Sequence, residues 1–304
     1  NVNIPRFTQQ MFELKDIVPE WSQLQGTLFI DQPDQNLFYG RLFVGQIAKD
    51  RSFVGNHSYY DSSHVEGEYW DNNNPSFRTY PIIKELDTLI RFYPIMSPSK
   101  LEITVNFNDA NGSHLAKTSS ISLVSPGENN FELDIKMSAI EAGVDVQTLN
   151  SFTVQASPAS GNTPTRINHQ VVYRTSALET SINTSLQNYN VFHSKTKPRT
   201  SWGQLVNSKE FETWLTITND ANTAQSESLD IKIYDERGYL ATESIIVPFQ
   251  SAKVINIRVL MQRLNLVSTS EFVWYEFEST NGFMTAISLF LHVESGNCAG
   301  EHNF

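Results

Sequence analysis

The sequence is short of cysteine, of basic clusters, of long apolar runs and of glycine-rich loops, and each shortage removes a class of protein. Cys298 is the one cysteine among 304 residues, so no internal disulfide can form and packing alone must hold the fold. Nucleic acid binding needs a basic stripe, yet the net charge is −11 and the densest basic stretch, HSKTKPR at 193–199, is short and loop-like. Apolar runs such as AISLFLHV at 286–293 are too short to span a bilayer. Neither a G-x-S-x-G elbow nor a G-x-G-x-x-G or P-loop signature occurs. A glycosidase pair could be picked at will from 33 acidic residues, so picking one would carry no information. No catalytic residue and no cofactor is assigned. The chain opens at NVNIP without Met, and the expectation is a mature or trimmed product whose targeting segment has been removed.

What is present points to β-structure. Hydrophobic residues make up 39% and charged residues 18%, a globular balance, and 12% are aromatic amid abundant Asn, Ser, Thr and Gln. LEITVNF (101–107), FETWLTIT (211–218), LDIKIYD (229–235) and EFVWYEFE (271–278) alternate in polarity as strands do. Turn clusters such as NDANGS, SPGENN, DERGY and STNG separate the strands. Long helical patterns are lacking, and short helical pieces are expected at 17–24, 137–143 and 259–266.

These three pieces occupy matching places in an internal repeat. A strand precedes each one: MFELKDI (11–17), NFELDIK (130–136) and VINIRVL (254–260). Two further strands and a turn follow, and each copy closes near a histidine: His57, His193 or His302. Asp109-Ala-Asn-Gly112 matches Asp235-Glu-Arg-Gly238 upstream. Asp should open each of these turns by accepting from its own backbone, with Gly supplying the positive φ; too few carboxylates are present for a calcium loop. The expected units are a half-unit at 1–56 packed on the first sandwich, a full unit at 57–192 and a second at 193–304.

The stretch 213–257, TWLTITNDANTAQSESLDIKIYDERGYLATESIIVPFQSAKVINI, resembles the immunoglobulin-like β-sandwich modules of bacterial surface proteins. The likeness lies in a strand, an Asn-led turn, a strand ending Tyr-Asp-x-x-Gly, then two more strands; 87–135 repeats it more loosely. The resemblance implies an extracellular sandwich serving as spacer, adhesin or glycan binder. The short helix after the last strand departs from the simplest immunoglobulin pattern.

Residues 56–74, NHSYYDSSHVEGEYWDNNN, form the densest polar cluster. His57, His64 and Glu66 are ligand types that zinc, manganese or iron would accept, although their spacing matches no established metal motif. A polar loop between modules is the favoured reading of these residues. Tyr59, Tyr60, Tyr69 and Trp70, with Asn72 and Asn73, provide aromatic faces and amides suited to a sugar. Against that, Trp70 aligns roughly with Trp202 and would then fill the core, as tryptophan does in many sandwiches. Phe77 and Tyr80 extend the same aromatic run.

The sequence therefore leads to an all-β chain of tandem antiparallel, immunoglobulin-like β-sandwich units with only short helical turns. Its expected role is a non-catalytic structural or adhesion module, secreted, periplasmic or on the cell surface. The expected partners are glycan or another surface protein, with neither nucleic acid nor a membrane span. Carbohydrate binding through 56–80 is the first alternative, and a metal-dependent enzyme using His57, His64 and Glu66 the second.

Overall fold

The computed structural model describes residues 11–18, 20, 43–47, 53–57, 70–72, 75–92, 100–118, 121–123, 131–159, 161–164, 166–177, 179–188, 198–220, 225–280 and 284–302. The backbone divides into two compact units, Asn1–Phe38 and Tyr39–Phe304. One helical turn, α1 (Leu14–Ile17), is described in the first. It ends where the helix expected over 17–24 was to begin, and most of that stretch lies outside the described residues. The proposed half-unit at 1–56 likewise lies largely outside them.

The second unit is built from antiparallel strands, as the alternating polarity predicts. β1 (Phe43–Ile47) pairs with β2 (Phe53–His57), and β3 (Trp70–Asn72) pairs with a later strand. Next come β4 (Ser76–Pro81), β5 (Asp87–Phe92), β6 (Leu101–Asn108), β7 (His114–Lys117), β8 (Ile121–Leu123) and β9 (Phe131–Asp134). Helix α2 (Ile135–Glu141) leads to β10 (Ser151–Pro158), β11 (Asn162–Pro164), β12 (Arg166–Arg174) and β13 (Glu179–Gln187). The chain continues through β14 (Arg199–Val206), β15 (Phe211–Asn219), β16 (Glu227–Asp235), β17 (Gly238–Val247) and β18 (Ala252–Asn256). It ends with helix α3 (Ile257–Arg263), β19 (Phe272–Ser279), β20 (Met284–His292) and β21 (Cys298–His302). Among the described residues no helix is long and apolar enough to cross a membrane.

Residues 199–302 form two four-stranded sheets, ordered β14-β19-β16-β17 and β18-β15-β20-β21. Residues 76–187 pair in the same sequence, β4-β10-β6-β7 and β9-β5-β12-β13, with β8 also on β6. A single pair, Phe77 with Gln187, joins those two runs into one sheet.

The equivalent helices show why the chain turns where it does. Each begins two residues before its expected start, because a side chain stops the preceding strand. Asp134 accepts from the Met137 N–H at 3.0 Å, and Asn256 from the Val259 N–H at 3.1 Å. Both are N-caps satisfying an orphan donor of the first turn. At the other end Gly143 and Asn265 enter the left-handed region, with φ of 78° and 51°. The next N–H groups reach back 2.9 Å, Val144 to Ala139 O and Leu266 to Met261 O. That is the Schellman closure.

The two upstream turns also behave as their residue types require. Asp109 Oδ1 accepts from the N–H groups of Asn111 and Ser113, both at 2.8 Å, and Gly112 has φ 77°. Asp235 Oδ1 accepts from the Arg237 N–H at 2.9 Å, and Gly238 has φ 119°.

Burial separates the two sheets of the second half. β16 alternates: Leu229, Ile231 and Ile233 are buried, whereas Ser228 and Asp230 are exposed. β15 is buried without a break from Thr213 to Asn219. Its Leu215 and Ile217 enter a core with Leu229, Val273 and Phe277, and Trp214 enters the other core with Tyr80, Phe152 and Leu186. β20 divides likewise, Met284 and Ala286 facing one core, Ile287 and Leu289 the other. The sheet β18-β15-β20-β21 thus has protein on both faces.

Hydrogen bonds reinforce the seam between the halves. The Thr79 N–H donates to Asp220 Oδ1 at 2.6 Å, Asn108 Nδ2 to Gln250 O at 2.9 Å and Asn150 Nδ2 to Ala252 O at 2.7 Å. Thr175 Oγ1 donates to Gly296 O at 2.6 Å. A Cβ on Gly112 would fall 2.9 Å from Phe249 O and from Pro248 Cβ, so this turn seats its backbone directly against the second half. Cys298 is buried in the same seam as a free thiol, 3.5 Å from Tyr173 O, and burial pushes its pKa up.

Candidate functional site

Most of the side chains singled out in 56–74 lie outside the described residues: Tyr59, Tyr60, His64, Glu66, Tyr69 and Asn73. His57 closes β2, opposite Phe43. Trp70 and Asn72 hold alternate positions of β3, opposite Pro164 and Asn162 of β11. Downstream, the aromatic run turns inward: Tyr80 is fully buried and Phe77 is half-buried. Among the described residues no three His, Cys, Asp or Glu side chains stand close enough to hold a metal ion.

The core role expected of Trp70 falls on a side chain outside the described ones, while Trp202, with which it aligns, lies on the surface. Trp202 is 57% exposed, whereas Trp214 is buried, at 4%. The exposure of Trp202 follows from strand phase. In β14 the inward positions belong to Ser201, Gly203 and Leu205, which leaves Trp202 and Gln204 outside.

Gly203 fixes that phase. A Cβ there would lie 2.7 Å from the Tyr275 hydroxyl oxygen and 2.8 Å from its ring. Tyr275 is the cross-strand partner of Gly203 and covers its bare backbone on the inner side. The register of β14 on β19 is pinned beneath the surface, and the outer side chains inherit it.

The outer face of β14-β19-β16-β17 is ordered in rows. Gln204 pairs with Trp274, Trp274 with Tyr234, and Tyr234 with Tyr239, one residue from each of the four strands. At about 4.8 Å per strand the row crosses about 14 Å of sheet. Tyr239 is 60% exposed; Trp274 and Tyr234 are half-buried. A bulge between Ile233 and Tyr234 brings Tyr234 opposite Tyr239, their ring centroids 5.9 Å apart at 71°. Phe272, 41% exposed, extends the apolar end.

The neighbouring row holds Trp202, Glu276, Lys232 and Thr242. Lys232 Nζ donates to Glu276 Oε1 at 3.2 Å, which raises the lysine pKa. Thr242 Oγ1 lies 3.0 Å from the Tyr239 hydroxyl. Beyond are Glu278 and Asp230, the latter accepting from Ser244 Oγ at 2.6 Å. The face grades from aromatic to acidic.

The turn that delivers Tyr239 is held firmly. Arg237 Nη2 donates to Asp235 Oδ2 at 2.8 Å, and Ser268 Oγ donates to the same oxygen at 2.9 Å. The Arg237 guanidinium, with the Ser268 hydroxyl, holds the Asp235 carboxyl down at about 2. A recess of about 240 Å³ between the β14–β15 turn and α3 offers less. Arg258, at its rim, is already committed to Glu212 at 2.7 Å and to the carbonyls of Lys209 and Phe211.

Flat exposed rings with amide, hydroxyl and carboxylate groups beside them can stack on the C–H face of a ligand and meet its hydroxyls at the edge.

No family model matches the chain, and no curated protein matches it. Two solved structures show a distant likeness, both of a lectin from Pleurotus ostreatus. The apo form is 8% identical with a TM-score of 0.20, over 80% of this chain and 83% of that one. The complex with GalNAc is 10% identical with a TM-score of 0.18, over 77% of this chain and 85% of that one. Likeness at this level carries no argument, and the functional reading rests on the sheet face.

Proposed function

We propose that the chain is a non-catalytic module of the cell exterior, extracellular or periplasmic, that adheres to carbohydrate through the outer face of β14-β19-β16-β17. The supporting observation is the row Gln204–Trp274–Tyr234–Tyr239 with Trp202 beside it. Strand alternation lets a sheet put its aromatics inside, and here the same strands bury Val273, Tyr275 and Phe277 while keeping Trp274 out. An exposed aromatic patch that the core does not need is the mark of a contact surface. Covering each ring gains on the order of 1–2 kcal/mol.

We read the two halves as tandem β-sandwich repeats akin to immunoglobulin-like modules. In both, the second strand lies beside the fifth (β5 with β9, β15 with β18) and the third beside the sixth (β6 with β10, β16 with β19). An immunoglobulin domain pairs B with E and C with F in that way. The first, fourth and seventh strands differ: β14 lies on β19, β17 on β16 and β20 on β15, whereas an immunoglobulin domain sets A beside B, D beside E and its last strand beside F.

The test is a glycan array read with the full chain, with Trp202→Ala/Trp274→Ala, and with Tyr59→Ala/Tyr60→Ala. The reading expects the tryptophan variant to lose the bound glycans and the tyrosine variant to keep them. Loss in the tyrosine variant alone would move the site to 56–80. A chain that binds no glycan would be a spacer.

A further inference from the structure

We infer that the ligand of this face is an uncharged polysaccharide, bound along the interior of its chain and lying across the strands; this rests on the carbohydrate reading above. Three features select it.

The first is charge. The outer positions carry three carboxylates, Asp230, Glu276 and Glu278, and one ammonium, Lys232, already paired with Glu276. Arg237 at the adjoining turn is taken by Asp235. Among the described outward positions of these four strands Lys232 is the one cation, so uronate, sulfate or sialate groups would meet net repulsion there. At physiological salt that repulsion acts within about 8 Å, which covers the neighbouring rows. The whole chain, at −11, adds to it.

The second is direction. The aromatic positions advance from strand to strand, β19 to β16 to β17, so a stacked chain runs perpendicular to the strands. Gln204 at one end and the Tyr239–Thr242 hydroxyl pair at the other supply hydrogen bonds along that line.

The third is openness. Trp202 and Tyr239 stand more than half exposed on a sheet surface, which suits contact along a chain more than a grip on its terminus. A face of this kind grips several consecutive rings weakly and gains with each one.

Affinity electrophoresis and calorimetry on the full chain test the inference, using neutral β-glucan, mannan and starch against alginate and heparin, each at low and high salt. A ladder of neutral oligosaccharides supplies the length dependence. The expected result is binding to a neutral polymer, little changed by salt, with affinity rising ring by ring until the row is spanned. Trp274→Ala/Tyr234→Ala should weaken it at least tenfold, and Trp202→Ala, at a more exposed site, should weaken it with an unchanged far-UV spectrum and Tm. Asp230→Lys/Glu278→Lys should admit alginate at low salt only.

Tight binding to alginate or heparin by the unaltered chain would overturn the inference while leaving the carbohydrate reading standing. So would a monosaccharide bound as tightly as the polymer. Failure to bind any glycan would end both. If sedimentation finds a dimer that the double variant dissolves, the face is a contact between copies, and both readings fall.

Discussion

Tyr80 donates its hydroxyl proton to Nε2 of His169, and both side chains are fully buried. The direction follows from the other ring nitrogen. His169 Nδ1 lies 3.2 Å from Ile167 O, and a carbonyl can only accept, so Nδ1 carries the ring proton and Nε2 must accept. Phe92 completes the surround, its centroid 5.2 Å from the imidazole. Burial, against the backbone bond to Ile167 and with Arg78 nearby, pulls the His169 pKa down to about 3.

That neutral histidine gives acid sensitivity a definite window. The folded state binds its proton only near pH 3, whereas the unfolded chain binds one near 6.5. Stability from this group is therefore complete above about pH 6.5 and falls as pH drops toward 3, by up to about 1.4 kcal/mol per unit. Urea titrations between pH 7 and 4 should show that slope, and His169→Phe should flatten it. Tyr80→Phe strands Nε2 and should cost about 1–3 kcal/mol at neutral pH.

The two Asp-x-x-Gly turns should tolerate alanine unequally. Gly238→Ala meets open space and bears only the backbone penalty, of about 1 kcal/mol. Gly112→Ala bears that penalty and also drives a methyl against Phe249 O and Pro248 Cβ at 2.9 Å. Chemical denaturation should show Gly112→Ala as the costlier by about 1–3 kcal/mol.

Gly203→Ala should lower both stability and binding, because the added methyl collides with Tyr275 on the strand pair that carries Trp202 and Trp274. Overpacking of this kind costs about 1–3 kcal/mol. Gly203→Ala/Tyr275→Leu should recover much of it, measured as the urea midpoint alongside glycan affinity.

Asp134→Ala and Asn256→Ala remove the same cap in the two halves. Each should lower stability by about 1 kcal/mol in thermal unfolding. A cost in only one of them would mean that the other helix is held by its packing instead.

Much of this architecture could be read from side-chain alternation, and the exceptions have physical causes. β6, β15, β16 and β19 fall on the expected segments because their apolar residues recur every second position. The helix starts were set two residues late because β-branched and apolar residues run through Asp134 and Asn256, hiding the caps. The shared sheet was hidden by threonine. The second face of β15 reads Trp214, Thr216, Thr218, which looks half-solvated. Inside the protein Thr216 Oγ1 donates to Ile287 O at 3.1 Å, and Thr218 Oγ1 lies 2.6 Å from Thr285 Oγ1.

The outer aromatic face carried a signal that composition alone obscured. By sequence Trp202 is only the alignment partner of Trp70, for which a core role is expected. Phase argues otherwise: Trp274 alternates in step with Glu276 and Glu278, and Tyr234 with Asp230 and Lys232. An aromatic that keeps step with charged residues belongs to the solvent side. Tyr239 could not be placed by counting, because the bulge at Ile233/Tyr234 shifts the register there.

The sheet β18-β15-β20-β21 is a party wall. Trp214, Ile287 and Leu289 grow from the second half yet belong to the core of the first, so the first half does not close its own interior. A half in that condition has given up its independence. It should melt in one step with its neighbour, and it cannot be shuffled elsewhere without exposing the wall. A protease cut between Asn188 and Pro198 would part the chain without parting the protein: the two fragments should travel together until a denaturant separates them.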